Sequence, residues 1–213
     1  MIINSDFARE LALDLLKIDA VILRPNDPFT WTSGWNSPIY CDNRLTLIYP
    51  ELRSKIADHL ADYIKNSYPD VDVITGTATA GIPHAAWVAE RLAKPMAYVR
   101  GKAKAHGLTS QIEGGVKKEQ STIIIEDLIS TGGSVISVKD VLEFVGAKVV
   151  GAVSIFTYGF DVANKLFESQ GLKTACLTDY NTLLDVAIKN GYIDKSDLVI
   201  LNQWRENPDT WPR

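Results

Sequence analysis

The chain is poor in cysteine, has no excess of positive charge and contains no long apolar run, and each shortage excludes a class of protein. Its two thiols, Cys41 and Cys176, form no CxxC motif, which excludes a disulfide-stabilised scaffold and indicates a reducing compartment. Lys and Arg number 22 against 26 Asp and Glu, so the net charge of −4 gives no electrostatic basis for nucleic-acid binding. No apolar run approaches the roughly 18 residues of a membrane span.

The remaining composition is that of a globular protein of moderate size. At 213 residues the chain fits one α/β domain with a small additional lobe, and it can bury roughly 70% of its unfolded surface without a metal or a disulfide. Residues 1–10 show no basic segment followed by an apolar one, so we expect no signal peptide. We therefore expect a cytoplasmic protein whose partner is neither a membrane nor a nucleic acid.

Apolar spacing predicts alternating helices and strands over most of the chain. A first helix, capped by Ser5, should reach Ile18, and the segment 25–50 has too many Pro, Gly and Asn for more than short strands and turns. Further helices are predicted from Pro50 to Ile64, over 83–92, 134–145 and 162–169, and from near Thr178 or Asp179 and near Ser196. Strands are predicted over 71–75, 96–100, 122–126, 149–156 and 174–177. The strands are continuous apolar runs, which predicts an α/β fold: a parallel sheet flanked by helices, with a core of about 51–177 and a lobe built from about 1–50 and 178–213.

Two acidic residues and a loop of small residues end the strand predicted at 122–126. The acids are Glu126 and Asp127, and the residues that follow them are Leu128, Ile129, Ser130, Thr131, Gly132, Gly133 and Ser134. Backbone N–H groups, hydroxyls and a helix N-terminus together bind phosphate, while carboxylates accept hydrogen bonds from sugar hydroxyls. The segment therefore predicts a site for a ribose 5-phosphate group, with a capped strand-to-helix turn as the alternative.

Basic residues are concentrated in the segment that follows the strand predicted at 96–100. Arg100, Lys102, Lys104 and His106 open a long polar stretch. Such a stretch can close over a diphosphate as a lid, or it can be a solvated charged loop. The residues alone leave both interpretations open.

The loop 76–81 has the GxxxxG spacing of a nucleotide-binding P-loop. Ile82 and Pro83 stand where a P-loop has Lys and Ser or Thr, which excludes a triphosphate site of that kind. Backbone N–H groups of the loop could still bind a diphosphate.

Three segments together resemble a known family. The segment 123–134 resembles the phosphoribosyl-diphosphate signature of type I phosphoribosyltransferases. The spacing of Arg100, Lys104 and His106, and the sequence FTWTSGWNSPIYCDNR at 29–44 (the hood segment), are similar to those of the orotate phosphoribosyltransferase family. The resemblance implies the type I phosphoribosyltransferase fold, with the lobe from the termini as a hood. It also implies transfer of ribose 5-phosphate from phosphoribosyl diphosphate to orotate.

The resemblance implies a role for each matching residue. Arg100, Lys104 and His106 would be the catalytic residues and would contact the diphosphate, while Glu126 and Asp127 would hold the ribose hydroxyls. The remaining contacts to phosphoribosyl diphosphate would be Leu128, Ile129, Ser130, Thr131, Gly132, Gly133 and Ser134. Ser130 and Tyr158 would also contact orotate, with Tyr158 near the position where some members have an Arg. Some members have Lys at the positions of Thr32, Ala80 and Gly101.

The resemblance also implies a cofactor and an oligomeric state. Mg²⁺ would bind mainly through oxygens of phosphoribosyl diphosphate, so we expect no dedicated metal site in the chain. The lid would reach into the neighbouring subunit, which implies a homodimer with shared active sites. Orotate and phosphoribosyl diphosphate would be the small-molecule partners.

Two other functions fit part of the pattern. A phosphoribosyltransferase for a purine or for uracil would share the phosphate site, but the hood segment and the spacing of the lid cations argue against it. A regulator that senses phosphoribosyl diphosphate would share the fold. It would need no lid cations, and a regulator of transcription should add a basic DNA-binding face that this chain lacks.

Overall fold

The architecture is that of a sheet flanked by helices, in a computed structural model that describes residues 1–31, 34–101 and 111–211. The helices are α1 Ser5–Lys17, α2 Pro50–Ser67, α3 Gly81–Leu92, α4 Gly133–Phe144, α5 Asp161–Ser169, α6 Tyr180–Lys189 and α7 Leu198–Glu206. The strands are β1 Val21–Leu23, β2 Phe29–Thr30, β3 Asn36–Ser37, β4 Ile39–Cys41, β5 Val73–Thr77, β6 Met96–Val99, β7 Ile112–Glu113, β8 Ser121–Ile129, β9 Lys148–Thr157 and β10 Thr174–Asp179. Short 3₁₀ helices lie at Asn43–Ile48 and Lys195–Asp197.

The main sheet of the described residues has the strand order β10-β9-β8-β5-β6-β7. All neighbours pair in parallel except β7, which pairs antiparallel with β6. The core residues of β8, Ile123 to Ile125, have no exposed surface, as expected for a strand covered on both faces by helices. The predicted α/β fold with a parallel sheet flanked by helices is therefore confirmed.

Helix α2 illustrates how sequence pattern produces these elements. Pro50 occupies its first turn, where the missing N–H of proline has no helical partner to lose. Leu52, Ile56, Leu60 and Ile64 follow at intervals of four and are all buried. This regular spacing is why the helix could be predicted from Pro50.

Some element ends differ from those expected. The strand predicted at 122–126 continues to Ile129, because Leu128 and Ile129 still pair with β9. The first helix is capped by the side chain of Asn4 instead of Ser5, since Asn4 Oδ1 accepts the N–H groups of Asp6 and Phe7 at 3.0 Å. The last helix, predicted to open near Ser196, begins at Leu198, directly after a 3₁₀ turn closed by a capping box of Asp194 and Asp197.

The N-terminal segment and the last helix each hold another part of the fold in place. The N-terminus extends it beside β10, where Ile3 N donates to Cys176 O at 3.0 Å. Near the C-terminus the indole N–H of Trp204 donates to Asn36 O at 3.1 Å, so α7 holds the segment around β3. The apolar cluster around Trp204 continues without a break into the sheet. The division into a hood of 1–50 and 178–213 and a core of 51–177 stays a prediction.

Two further expectations concern cysteines and membranes. Cys41 and Cys176 are both free thiols. Within the described ranges, no helix is both long enough and apolar enough to cross a membrane.

Candidate active site

The carboxyl end of β8 carries a buried pair of carboxylates. Glu126 is only 5% exposed, and its Oε2 accepts the hydroxyl hydrogen of Ser134 at 3.0 Å while its Oε1 accepts the N–H of Asp127 at 3.0 Å. Burial, and then repulsion from Asp127, raise the pKa of the Glu126 carboxyl, and burial raises that of Asp127. The pair therefore favours a proton, a cation or a hydroxyl donor beside it.

The loop 130–134 joins this strand to the N-terminus of α4. Gly132 has a φ of +82°, and a Cβ there would lie 2.7 Å from the ring of Phe167, so the turn requires glycine. Gly133 begins α4, and nothing lies within 4 Å of the place its Cβ would occupy. Thr131 and Ser134 are exposed beside it. Open backbone, hydroxyls and a helix N-terminus thus occur together in this loop, a combination that can bind phosphate.

Leu128 and Ile129 play different parts although both follow the acids. Leu128 is half-buried and lines a cavity, whereas Ile129 is 4% exposed and packs into the core between the sheet and α4. The side chain of Ile129 is therefore structural, and only its backbone is near the loop. Its carbonyl accepts the N–H of Tyr158 at 3.1 Å, which ties the end of β9 to that of β8.

A first cavity, of about 780 Å³, lies beside the loop 76–81. It is lined by Ala78, Thr79, Ile82, Tyr98, Arg100, Gly101 and Glu113. Arg100 Nη1 lies 3.6 Å from Glu113 Oε1, and the Arg100 backbone is held by Gln111 through two hydrogen bonds of 2.9 Å. Lys102, Lys104 and His106 lie outside the described residues.

Close packing explains why Gly81 ends the loop 76–81. A Cβ on Gly81 would clash with the backbone carbonyl oxygen of Ile125, one residue before Glu126. The start of α3 is thereby held directly against β8. The loop 76–81 and the carboxylate pair consequently lie side by side at the edge of the sheet where parallel strands end.

A second cavity, of about 790 Å³, lies between the hood segment and the loop 130–134. It is lined by Phe29, Thr30, Trp31, Trp35, Tyr40, Cys41, Arg44, Leu128, Ser130, Thr131 and Tyr158, and we call it the hood cavity. Ser130 and Tyr158, which were predicted to contact orotate, both line this cavity. Thr32 lies outside the described residues. Tyr158 is 2% exposed and stacks on Phe160 at 5.2 Å. Such an aromatic cavity suits a flat heterocycle.

Comparison with known proteins decides the family. The family model for the phosphoribosyl transferase domain matches residues 48–187. A protein named orotate phosphoribosyltransferase from Halalkalibacterium halodurans is 56% identical over 94% of this chain and 95% of its own length. One of the same name from Listeria innocua is 52% identical over 95% of this chain and 97% of its own. The chain belongs to the orotate phosphoribosyltransferase family.

Solved structures agree with this assignment. An orotate phosphoribosyltransferase from Aeropyrum pernix superposes with a TM-score of 0.75 at 31% identity, over 86% of this chain and 99% of that one. The UMP synthase of Leishmania donovani gives a TM-score of 0.77 at 29% identity, over 92% of this chain and 42% of that larger one. The type I phosphoribosyltransferase fold and the resemblance to the orotate phosphoribosyltransferase family are thus confirmed.

Two polar residues of this orotate phosphoribosyltransferase family member were missed from the sequence. Asn43 is fully buried, and its Nδ2 donates to Asp127 O at 2.7 Å. Arg44 lines the hood cavity and forms two hydrogen bonds of 2.6 Å with Asp42. The available signal was the run of three polar residues, Asp-Asn-Arg, directly after the apolar strand β4. Nothing in the composition indicated that Asn43 of this run would donate a hydrogen bond to β8.

Cys41, beside them, is not a candidate nucleophile. Burial, followed by the charges of Asp127 and Asp42, raises the pKa of its thiol well above the ordinary value. A thiol that stays protonated is a poor nucleophile. It therefore serves as an apolar wall of the hood cavity.

Proposed function

We propose that the protein transfers the 5-phosphoribosyl group of phosphoribosyl diphosphate to orotate, giving orotidine 5′-phosphate and diphosphate. One observation carries the proposal: the buried Glu126–Asp127 pair and the loop 130–134 adjoin an aromatic cavity, in a chain 56% identical to a protein named for this reaction. The bond from the ribose C1 to the diphosphate oxygen breaks, and a bond from C1 to a pyrimidine ring nitrogen forms.

The carboxylates and the loop would bind the sugar phosphate. Burial raises the pKa of Glu126 and of Asp127, so their negative charges are only partly stabilised, and the ribose hydroxyls would supply further hydrogen-bond donors. The 5-phosphate would lie on the backbone of Gly133, where no atom occupies the approach. Ser130 and Thr131 would add hydroxyl donors, whereas Ser134, whose hydroxyl already donates to Glu126, would offer its backbone N–H near the start of α4. Ser130 and Tyr158 would also border the orotate ring.

The residues present fit a Mg²⁺ ion held mainly by the substrate. Magnesium prefers oxygen ligands and keeps few protein carboxylates when it binds substrate phosphates. Glu126 and Asp127 supply such oxygens, and the described part of the chain contains no cluster of three or more metal-binding side chains. When bound, the ion would neutralise charge on the leaving diphosphate as a Lewis acid. Glu126 and Asp127 would orient the ribose beside it.

The diphosphate would leave toward the first cavity. Arg100 lines that cavity together with Ala78 and Thr79 of the loop 76–81. Lys104 and His106, a few residues beyond it in sequence, would close over the diphosphate and stabilise its charge with water excluded. Either of the two could donate a proton to the departing group.

Two properties rest on the family resemblance. We propose a homodimer in which the lid of one subunit acts in the active site of the other. We also propose a cytoplasmic location, since two free thiols suit a reducing compartment.

The proposal is tested by following orotate absorbance after mixing the protein with orotate, phosphoribosyl diphosphate and Mg²⁺. Absorbance should fall only when all three are present. The variant Asp127→Asn should weaken the binding of phosphoribosyl diphosphate, because the amide lacks the charge that accepts ribose hydroxyls. Consumption of a purine or of uracil in place of orotate would support a different phosphoribosyltransferase. Binding without any turnover would support a regulator.

A further inference from the structure

Arg44 is the one positively charged side chain among the described residues that line the hood cavity. Its side chain is 63% exposed, so it is not buried in the protein's own packing. The rest of the lining consists of aromatic rings, a thiol, Leu128 and hydroxyl groups. A lone cation on an aromatic wall is the feature that would distinguish a charged heterocycle from a neutral one.

The guanidinium of Arg44 is fixed in direction by Asp42. Its Nε and Nη2 donate to the two carboxylate oxygens of Asp42 at 2.6 Å each, so one edge of the planar group is occupied. Asp42 in turn accepts the backbone N–H of Arg44 at 3.1 Å and is only 19% exposed. The rotamer of Arg44 is therefore held before any ligand arrives, which lowers the entropy lost on binding.

The second edge of the same group, formed by Nη1 and the other hydrogen of Nη2, has no acceptor among the described residues. Two parallel N–H donors at the end of a guanidinium match the spacing of a carboxylate. A phosphate would match it too, but the loop 130–134, which contributes Ser130 and Thr131 to the cavity, is the proposed phosphate site.

We propose that the end of the Arg44 guanidinium binds the carboxylate of orotate and so makes the site selective for a carboxylated pyrimidine. The inference rests on the proposed function. It assigns a cationic residue of the hood cavity to the carboxylate of the substrate. Asp42 is then a positioning residue, because it acts through Arg44 and does not touch the substrate.

The product nucleotides test the proposal without requiring turnover. Orotidine 5′-phosphate and uridine 5′-phosphate differ only in the carboxylate, and Trp31 and Trp35 line the cavity, so intrinsic fluorescence can report both dissociation constants. The wild type should bind the carboxylated nucleotide more tightly. Arg44→Gln should reduce that preference on the order of 10- to 100-fold, the usual value of a charge-assisted hydrogen-bond pair, with the affinity for uridine 5′-phosphate nearly unchanged.

Two further variants separate recognition from structure. Arg44→Lys keeps the charge without the fork and should retain part of the preference. Arg9→Gln removes an exposed Arg–Asp pair of similar chemistry on α1, remote from the cavity lining, and should leave both dissociation constants unchanged. Urea denaturation of each variant checks that it is folded.

The outcomes distinguish this inference from the proposed function. An Arg44→Gln variant that keeps the full preference, or that weakens both nucleotides and phosphoribosyl diphosphate equally, overturns the role of Arg44 while wild-type turnover of orotate still stands. A wild type that shows no orotate turnover and no preference between the nucleotides overturns the proposed function itself.

Discussion

The side-chain amide of Asn43 donates a 2.7 Å hydrogen bond to the backbone carbonyl oxygen of Asp127, 84 residues further along the chain. Asn43 opens the 3₁₀ helix that ends the hood segment, and Asp127 is one of the two acids of β8. The bond therefore joins the segment that covers the hood cavity to the strand that would hold the ribose. It also fixes the position of Arg44, the next residue.

Replacing Asn43 by Ala should cost both stability and activity. The Asp127 carbonyl loses its partner in a buried place, which typically costs about 1–3 kcal/mol. The hood segment should then hold Arg44 less firmly, so KM for orotate should rise. Urea denaturation and steady-state kinetics measure the two effects. Asn190→Ala is the matched control, since Asn190 donates at 2.8 Å to Val186 O at the exposed end of α6. Loss of activity in both variants, or in neither, would contradict a role for the Asn43–Asp127 hydrogen bond in activity.

Without bound ligand, the variant Glu126→Gln should become increasingly more stable than the wild type as pH rises. Because burial raises the folded pKa of Glu126 above its ordinary value of 4.5, the folded state binds this proton more tightly than the unfolded chain does. The contribution of this proton to the free energy of unfolding is fully present below the pKa of Glu126 in the unfolded chain. It is lost as pH rises through the pKa of Glu126 in the folded protein. Glutamine stays neutral, so the variant's advantage over the wild type should grow between about pH 5 and about pH 8.

Urea denaturation at the two pH values measures that advantage. The exposed carboxylate Glu168 on α5 provides the control, and Glu168→Gln should show no such growth. The Glu126→Gln variant should at the same time bind phosphoribosyl diphosphate more weakly, because it loses charge beside the ribose. An advantage that shrinks with rising pH would show that Glu126 is not a destabilised carboxylate.

Alanine at two glycines should affect different properties, stability at Gly81 and ligand affinity at Gly133. Gly81→Ala places a methyl group against the Ile125 carbonyl, which cannot move without displacing β8, so stability should fall by about 1–3 kcal/mol. Gly133→Ala meets no atom within 4 Å, so stability should hold while phosphoribosyl diphosphate binds more weakly. Denaturation and calorimetric titration distinguish them. If Gly133→Ala kept the normal affinity for phosphoribosyl diphosphate, the 5-phosphate would not bind at the N-terminus of α4.

Lys104→Ala should lower kcat on the order of 100-fold, as loss of a positioned charge at a leaving group typically does. KM for orotate should change little, because the lid would act on the diphosphate. Lys117→Ala, also in the polar stretch before β8, is the control and should keep wild-type kinetics. An unchanged kcat for Lys104→Ala would identify the segment as a solvated surface loop.

The fold was largely predictable because apolar runs dominate the sheet. The central runs of β8 and β9, residues 123–125 and 149–153, contain only apolar residues, which suits a sheet covered on both faces. The end of β8 was harder to place, since Glu126 and Asp127 are polar yet lie within the strand, which pairs with β9 as far as Ile129. The two-residue strand β7 was not predicted, because Ile112 and Glu113 form a pair too short to show an alternating pattern.

The candidate site was predictable only where one segment carries it. The acids and the loop 130–134 are contiguous, so their chemistry could be inferred from order and spacing alone. Asn43 and Arg44 acquire their significance from contacts with residues distant in sequence, and neither residue type is unusual in a polar loop. Such partners emerge only once the hood segment is placed over β8.

The most direct test of the central claim is a competition for phosphoribosyl diphosphate. Orotate, uracil and adenine are supplied together in equal amounts with Mg²⁺, and the nucleotide products are identified by mass. We predict orotidine 5′-phosphate as the dominant nucleotide, formed in equal amount with diphosphate. Uridine or adenosine 5′-phosphate as the main product, or diphosphate released without any nucleotide, would contradict the account.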